Sequence, residues 1–305
     1  MAAKTILAVA ISNTQKNQTI TDASAASLSG VRPYIKGLIQ RLDVCGFEIG
    51  TNNHYVIDYR ETTQAQLSAI YSGTPDFVLC MSSTVLAAVP STWTMPIIAI
   101  VSDVPNPLRA NICGISGERH QIGRDYYDKL LATIPNLEKV YVLHKDNYPP
   151  SVKALAKIQT GSHPASVVPV PVGSPYGDAE IQNAINGITG TASSALLVLP
   201  ADSFFGSANK IIALAHAKSL PDFWPVTDWV RHSAAAASAV GGYGFPQIRC
   251  GELLADRIAS IWSTGTMPNP PFKKIDNTEA VWLVSDAAAA SLNVTPRTSA
   301  GLRHV

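Results

Sequence analysis

Apolar runs of strand length alternate with helical stripes along most of the chain. The first run covers residues 5–11. Val31, Tyr34, Ile35, Leu38, Ile39 and Leu42 follow at i, i+3/i+4 spacing, which predicts one buried helix face, and Gly46 ends that helix. Residues 55–59, 77–81 and 97–101 read as strands, and 63–71 as a helix. Ser82-Ser83-Thr84 caps a short helix, since hydroxyls accept bonds from the free amides of a first turn. The pattern then restarts. Helices are expected over 121–134, 152–159, 178–188, 207–218 and 247–263, and strands over 140–144, 167–172, 196–199 and 224–227, with one more at 239–243.

Such alternation means an α/β protein with parallel sheets covered on both faces. Four or five strands precede the Pro- and Gly-bearing segment 102–117, and a similar number follow it. That segment is expected to cross between two domains. Ligands of doubly wound sheets sit beyond the carboxyl ends of the strands. In the first half those ends carry Ser12-Asn13, Ser82-Ser83-Thr84 and Ser102-Asp103. In the second they carry Lys145-Asp146, Asp202-Ser203, Asp228 and Tyr243. Hydroxyls, amides and single acids suit holding a small polar molecule better than transforming it.

Composition narrows the classes. Of 305 residues, 46% are hydrophobic and 15% charged, which fits a well-buried globular chain. The 23 basic and 22 acidic residues lack the clustered basic excess of a nucleic-acid surface. No apolar stretch reaches the length of a membrane span, so no membrane insertion is expected. The apolar start, residues 6–11, is short for a signal peptide and reads as a first strand. The expectation is therefore a cytoplasmic chain or one whose leader has been left off. Cys45, Cys80, Cys113 and Cys250 form no CxxC pair and read as buried free thiols. Phosphate-loop, dinucleotide, nucleophile-elbow and metal-ligand spacings are missing, so neither cofactor nor metal is expected. Cys80 at a strand end raises a racemase-type reading, with two thiols facing each other for proton transfer. The matching strand end in the second half is Pro200-Ala201-Asp202, which offers no partner thiol.

The second half contains "LVLPADSFFGSANKIIALAHAKSLP", "PVTDW" and "VGGYGFPQIRCGELLADRIASIWSTGTMPNPPF". Earlier come "TPDFVLCMSSTVLAAV", "MPIIAIVSDVPNP" and "LLATIPNLEKVYVLHK". In order and spacing these segments resemble the ABC-transporter substrate-binding proteins that include tryptophan- and tyrosine-type binders. The likeness runs from about Gly30 to Val294. It implies a type I periplasmic-binding fold, with two doubly wound Rossmann-like lobes joined by a three-crossover hinge. Residues 1–108 with 235–268 are expected to form one lobe and 109–234 with 269–305 the other, with a ligand cleft between them. It further implies a non-catalytic protein that takes a small molecule, an amino acid with an aromatic or branched apolar side chain, for an ABC permease outside the cytoplasm. The same lobed fold also serves ligand-sensing domains outside transport.

For such a ligand, Ser82, Ser83 and Thr84 are expected to donate to the carboxylate. Asp202 is expected to take the ammonium, with Asp103 and Asp228 as second choices. Ser203 and Asn13 lie at the same strand ends. Phe204 and Tyr243, with Phe205 and Trp229, are candidates for an apolar wall. Helix capping competes with these roles at Ser82–Thr84 and Asp202, and core packing competes at each aromatic residue.

Overall fold

The computed structural model describes residues 3–12, 15–71, 73–102, 104–117, 123–190, 192–231, 238–275 and 277–305. The chain forms two compact units, Met1–Glu118 with Gln247–Asp276 and Arg119–Pro246 with Asn277–Val305. It therefore passes from one unit to the other three times.

In chain order the first unit begins with β1 (Lys4–Ile11), β2 (Lys16–Ile20), α1 (Pro33–Val44), β3 (Tyr55–Thr62), α2 (Leu67–Ile70), β4 (Phe77–Cys80), α3 (Ser83–Ala87), β5 (Ile97–Val101) and β6 (Ile112–Ser116). The second unit follows with α4 (Gly123–Thr133), β7 (Lys139–Lys145), α5 (Pro149–Gln159), β8 (Ser166–Val172), α6 (Asp178–Asn186), β9 (Ser194–Val198), α7 (Asp202–Gly206), α8 (Ala208–Ala217), β10 (Asp222–Trp224) and β11 (Gly241–Gly244). The chain returns to the first unit for α9 (Gln247–Thr264) and β12 (Phe272–Lys274). It ends in the second with β13 (Val281–Val284), α10 (Asp286–Ser291) and β14 (Leu302–His304).

Each unit holds a seven-stranded sheet, ordered β12-β6-β5-β4-β1-β3-β2 in the first and β14-β13-β11-β10-β9-β7-β8 in the second. Among the described residues only β2–β3 and β11–β13 pair antiparallel. The central strands are apolar on both faces, as parallel strands under two helical layers must be. Ile6, Ala8 and Val9 of β1 and Ala195 to Val198 of β9 are all fully buried.

The α1 stripe is realised as expected, with Tyr34, Ile35, Leu38, Ile39 and Leu42 buried. Pro33 opens the helix, where a missing amide costs nothing. Gly46, at φ +84°, closes it in the left-handed conformation, and Phe47 N–H reaches back to Leu42 O at 2.9 Å. On its way back, α9 packs directly on α1. A Cβ on Gly37 would lie 2.0 Å from Ile248 O, and one on Gly251 2.0 Å from Tyr34 O. Arg41 Nε adds an ion pair to Asp256 Oδ1 at 2.7 Å across the same crossing.

Two expectations change. Segment 102–117 is not simply a crossing, because its residues 112–116 are β6, in register with β5 from Ile97↔Ile112 to Val101↔Ser116. The unit boundaries also shift from those expected. β11 pairs with β10 and β13, so residues around 241–244 belong to the second unit. β12 pairs with β6 and so belongs to the first.

Candidate functional site

In the first sheet the chain runs from β1 outward to β3 and then returns to β1's other side as β4. In the second it runs from β7 to β8 and returns to the far side of β7 as β9. Where the winding reverses, the connections leave opposite faces of the sheet and open a crevice beyond the strand ends. These reversals, β1/β4 and β7/β9, locate the candidate site on each unit.

At the β1/β4 reversal the first unit presents a row of hydroxyls. Ser12 and Ser82 are buried. Ser82 caps α3, its Oγ accepting from Val85 N–H at 3.2 Å, and its hydroxyl hydrogen remains a donor. Ser83 Oγ accepts from Ser102 N–H at 3.1 Å, which ties the β4 exit to the β5 exit. Ser116 Oγ donates to Ser102 O at 3.5 Å. Thr84 is half-buried on α3. Capping and ligand donation at Ser82 and Ser83 are thus compatible, because acceptor and donor are different parts of one hydroxyl. The row is braced by Arg32, which donates to Ile11 O at 2.6 Å and pairs with Glu61 at 2.8 Å. Tyr59 Oη also donates to Glu61, at 2.7 Å. Burial works against the Arg32 charge, but Glu61 with Tyr59 and Tyr34 together outweigh it and the guanidinium pKa is raised.

At the β7/β9 reversal the second unit presents charge. Lys145 ends β7, is buried, and seats its ammonium 4.0 Å from the Tyr176 ring centre and 5.5 Å from that of Tyr148. Such faces stabilise an ammonium by roughly 0.5–2 kcal/mol. Burial lowers the Lys145 pKa, and the charges of Asp202 and Asp146 oppose that shift. Tyr176 is a non-glycine residue in the left-handed region, at φ +64°. Its hydroxyl is fixed by Asp146 Oδ1 at 3.1 Å and by Asn147 Oδ1. Ser151 Oγ donates to Pro200 O at 3.0 Å and pins the β9 exit to α5. Asp202 is the first residue of α7, half-buried, while the cap position belongs to Ala201. The competing role of Asp202 as cap is therefore not realised.

The remaining expected residues separate. Ser203 is buried, and its hydroxyl has no hydrogen-bond partner. Phe204 is fully buried in the core of the second sheet, among Ile181, Ile211 and Trp224, so packing accounts for it. Phe205 stacks on Trp229 with ring centres 5.4 Å apart, and Trp229 on Trp224 at 5.0 Å. Asp228 opens a 3₁₀ turn, Asp228–Arg231, and is half-buried. Tyr243 lies under α4, edge-on to Tyr126 and below the Lys129 ammonium, which places it on the sheet face rather than at the strand mouth. Burial, and then Asp125, raise its hydroxyl pKa. Asn13 and Asp103 lie outside the described residues.

Two features were weakly marked in the sequence. The Lys145 cage needs Tyr148 and Tyr176 from separate loops, and only Lys145-Asp146 stood out as a strand end. Asp222, fully buried, accepts from Trp224 Nε1 at 2.5 Å and Val240 N–H at 3.1 Å and meets His216 Nε2 at 2.9 Å. It holds β10, β11 and α8 together at the amino end of β10. The groove of roughly 400 Å³ lined by Ile134, Ser194, Pro221 and Val294 also lies at amino ends, away from the reversals.

Among the described residues the racemase-type reading of Cys80 finds no support. Burial pushes the Cys80 thiol far above the thiolate range, and proton shuttling by sulfur needs an accessible thiolate. Cys80, Cys113 and Cys250 are buried free thiols, as expected, and Cys45 is half-buried. Among the described residues no His/Cys/Asp/Glu group is arranged to hold a metal, and no helix is long and apolar enough to cross a membrane.

No family model and no curated protein sequence matches the chain. Solved structures do. A conserved domain protein from Vibrio cholerae O1 biovar El Tor aligns with TM-score 0.74 at 18% identity, covering 100% of this chain and 99% of that one. An ABC domain in complex with L-Trp from Streptococcus pneumonia aligns with TM-score 0.68 at 13% identity, covering 99% of each. The periplasmic component of an ABC-type sugar transport system from Hahella chejuensis aligns with TM-score 0.57 at 13% identity, covering 92% of this chain and 99% of that one. The chain thus has the fold of type I periplasmic-binding proteins, two α/β units with mostly parallel seven-stranded sheets.

Proposed function

We propose that the protein is a non-catalytic solute-binding protein of an ABC transporter, which captures a free amino acid by hinge closure and delivers it to a permease outside the cytoplasm. The observation that carries the reading is the content of the two winding reversals. One is lined by neutral hydroxyls and the other by a caged lysine and a carboxylate. Ser82, Ser83 and Thr84 donate to the ligand's carboxylate and Asp202 accepts from its ammonium. Phe205 shares α7 with Asp202 and packs with Trp229 in the core of the second unit, so Trp229, which is half-buried, is the aromatic candidate for an apolar wall. The sequence likeness to tryptophan- and tyrosine-type binders supports the ligand class, whereas sharing a fold with a sugar-transport component leaves that class to experiment.

Isothermal titration against free L-amino acids, with a parallel set of sugars, tests the reading. The expected result is 1:1 binding of at least one apolar or aromatic amino acid at micromolar Kd or tighter, about −8 kcal/mol. Asp202→Asn is expected to weaken it about tenfold or more, as the loss of a charge-assisted bond does. Binding of sugars with no amino acid bound rejects the ligand class.

A further inference from the structure

We infer that Lys145, held between Tyr148 and Tyr176, is the charged anchor for the ligand's carboxylate. The second unit then recognises both charges of an α-amino acid with one loop cluster. The inference deepens the solute-binding reading and rests on it.

The loops after β7, β8 and β9 each contribute. The first gives Tyr148 behind Lys145, the second Tyr176, and the third Asp202. β7 is the middle strand of the three, in register with β8 (Lys145↔Val172) and with β9 (Leu143↔Val198). The Lys145 ammonium is therefore central, and the Asp202 charge is close enough to act on it. A positive and a negative group at adjacent strand ends complement a zwitterion whose two charges flank a single carbon.

The construction goes beyond neutralising a stray lysine. A buried lysine that only balanced Asp202 would need no aromatic faces. Here Tyr176 is kept in a backbone conformation unfavourable for its side chain, with Asp146 and Asn147 holding its hydroxyl. Local strain of this kind fixes the ring against the lysine and stops the long side chain from collapsing elsewhere. A carboxylate accepts from several donors at once, so an anchoring lysine is compatible with hydroxyl donors as well.

The test compares each amino acid that binds with its own carboxamide, which keeps the ammonium and side chain but removes the negative charge. Wild-type protein is expected to prefer the acid by on the order of tenfold to a hundredfold. Lys145→Met, which keeps the unbranched stem, is expected to lose most of that preference while still binding the amide. Lys145→Arg keeps the charge and is expected to retain part of the preference. Equal thermal midpoints for wild type and variants show that the fold is intact. If Lys145→Met misfolds, Lys145→Gln, which keeps a neutral polar end, is read by the same comparison of acid with amide. An undiminished preference in a folded Lys145→Met or Lys145→Gln protein overturns the lysine assignment and leaves the solute-binding reading standing. Binding of neutral sugars alone overturns both.

Discussion

His144 shows how much one buried side chain can couple folding to pH. It precedes the caged lysine on β7, is buried, and leaves its Nδ1 without a hydrogen-bond partner. Burial lowers its pKa below the ordinary 6.5, against smaller opposing effects from the Lys145 backbone and the Asp146 charge. Above pH 6.5 neither folded nor unfolded chain protonates this ring. As pH falls through 6.5 the unfolded chain takes up a proton that the folded one refuses, so stability drops. The slope from one such group is at most about 1.4 kcal/mol per pH unit. Thermal midpoints measured from neutral pH down to about 5 are expected to fall, and His144→Gln is expected to flatten part of that fall. An unchanged slope in the variant assigns the acid sensitivity to other groups.

Among the elements, the α1–α9 pair tests two opposing effects. Alanine at Gly251 favours a helix by about 1 kcal/mol. Its Cβ would also stand 2.0 Å from Tyr34 O, a backbone atom that cannot swing away. Overpacking of this kind costs typically about 1–3 kcal/mol, and a backbone clash sits at the upper end, so the clash wins. Gly251→Ala is expected to lower the thermal midpoint of the first unit by several degrees. A neutral or stabilising Gly251→Ala would mean that the helices part easily. The same crossing shows what the sequence does and does not reveal. The α1 and α9 stripes were readable because one face of each is apolar at helical spacing, but which helix meets which depends on contacts far apart in the chain. β2 (KNQTI) and β12 (FKK) escaped notice because edge strands alternate polar residues or are too short for a pattern. α7 was hidden inside what read as a strand-end loop. The strand exits at Ser82, Ser83, Lys145 and Asp202 are nevertheless legible, since local apolar runs mark where each strand stops. The Tyr176 partner of Lys145 could not be found that way, because a loop's backbone angles decide where its ring points.

For the molecule as a whole, each unit is assembled from two separated stretches of chain. β13 supplies Trp282, Leu283 and Val284 to the second unit, all buried, and Trp282 Nε1 donates to Thr133 Oγ1 at 2.9 Å. Burying three such side chains stabilises by roughly 5–9 kcal/mol in total, comparable with the whole stability of a domain, about 5–15 kcal/mol. A chain ending after residue 276 is therefore expected to lose the cooperative fold of the second unit. Limited proteolysis with mass spectrometry should find cuts spread through 123–231 and the first unit still resistant. A truncated chain resistant throughout would show that β13 and β14 are dispensable. The interleaving also sets an order during synthesis. α1 ends at Val44 and its covering partner α9 begins at Gln247. At about 5–20 residues per second, roughly 10–40 s separate their emergence from the ribosome. Throughout that interval the growing chain carries the side of α1 that α9 will cover, and five of the second unit's strands, β7 to β11, appear before the first unit can close.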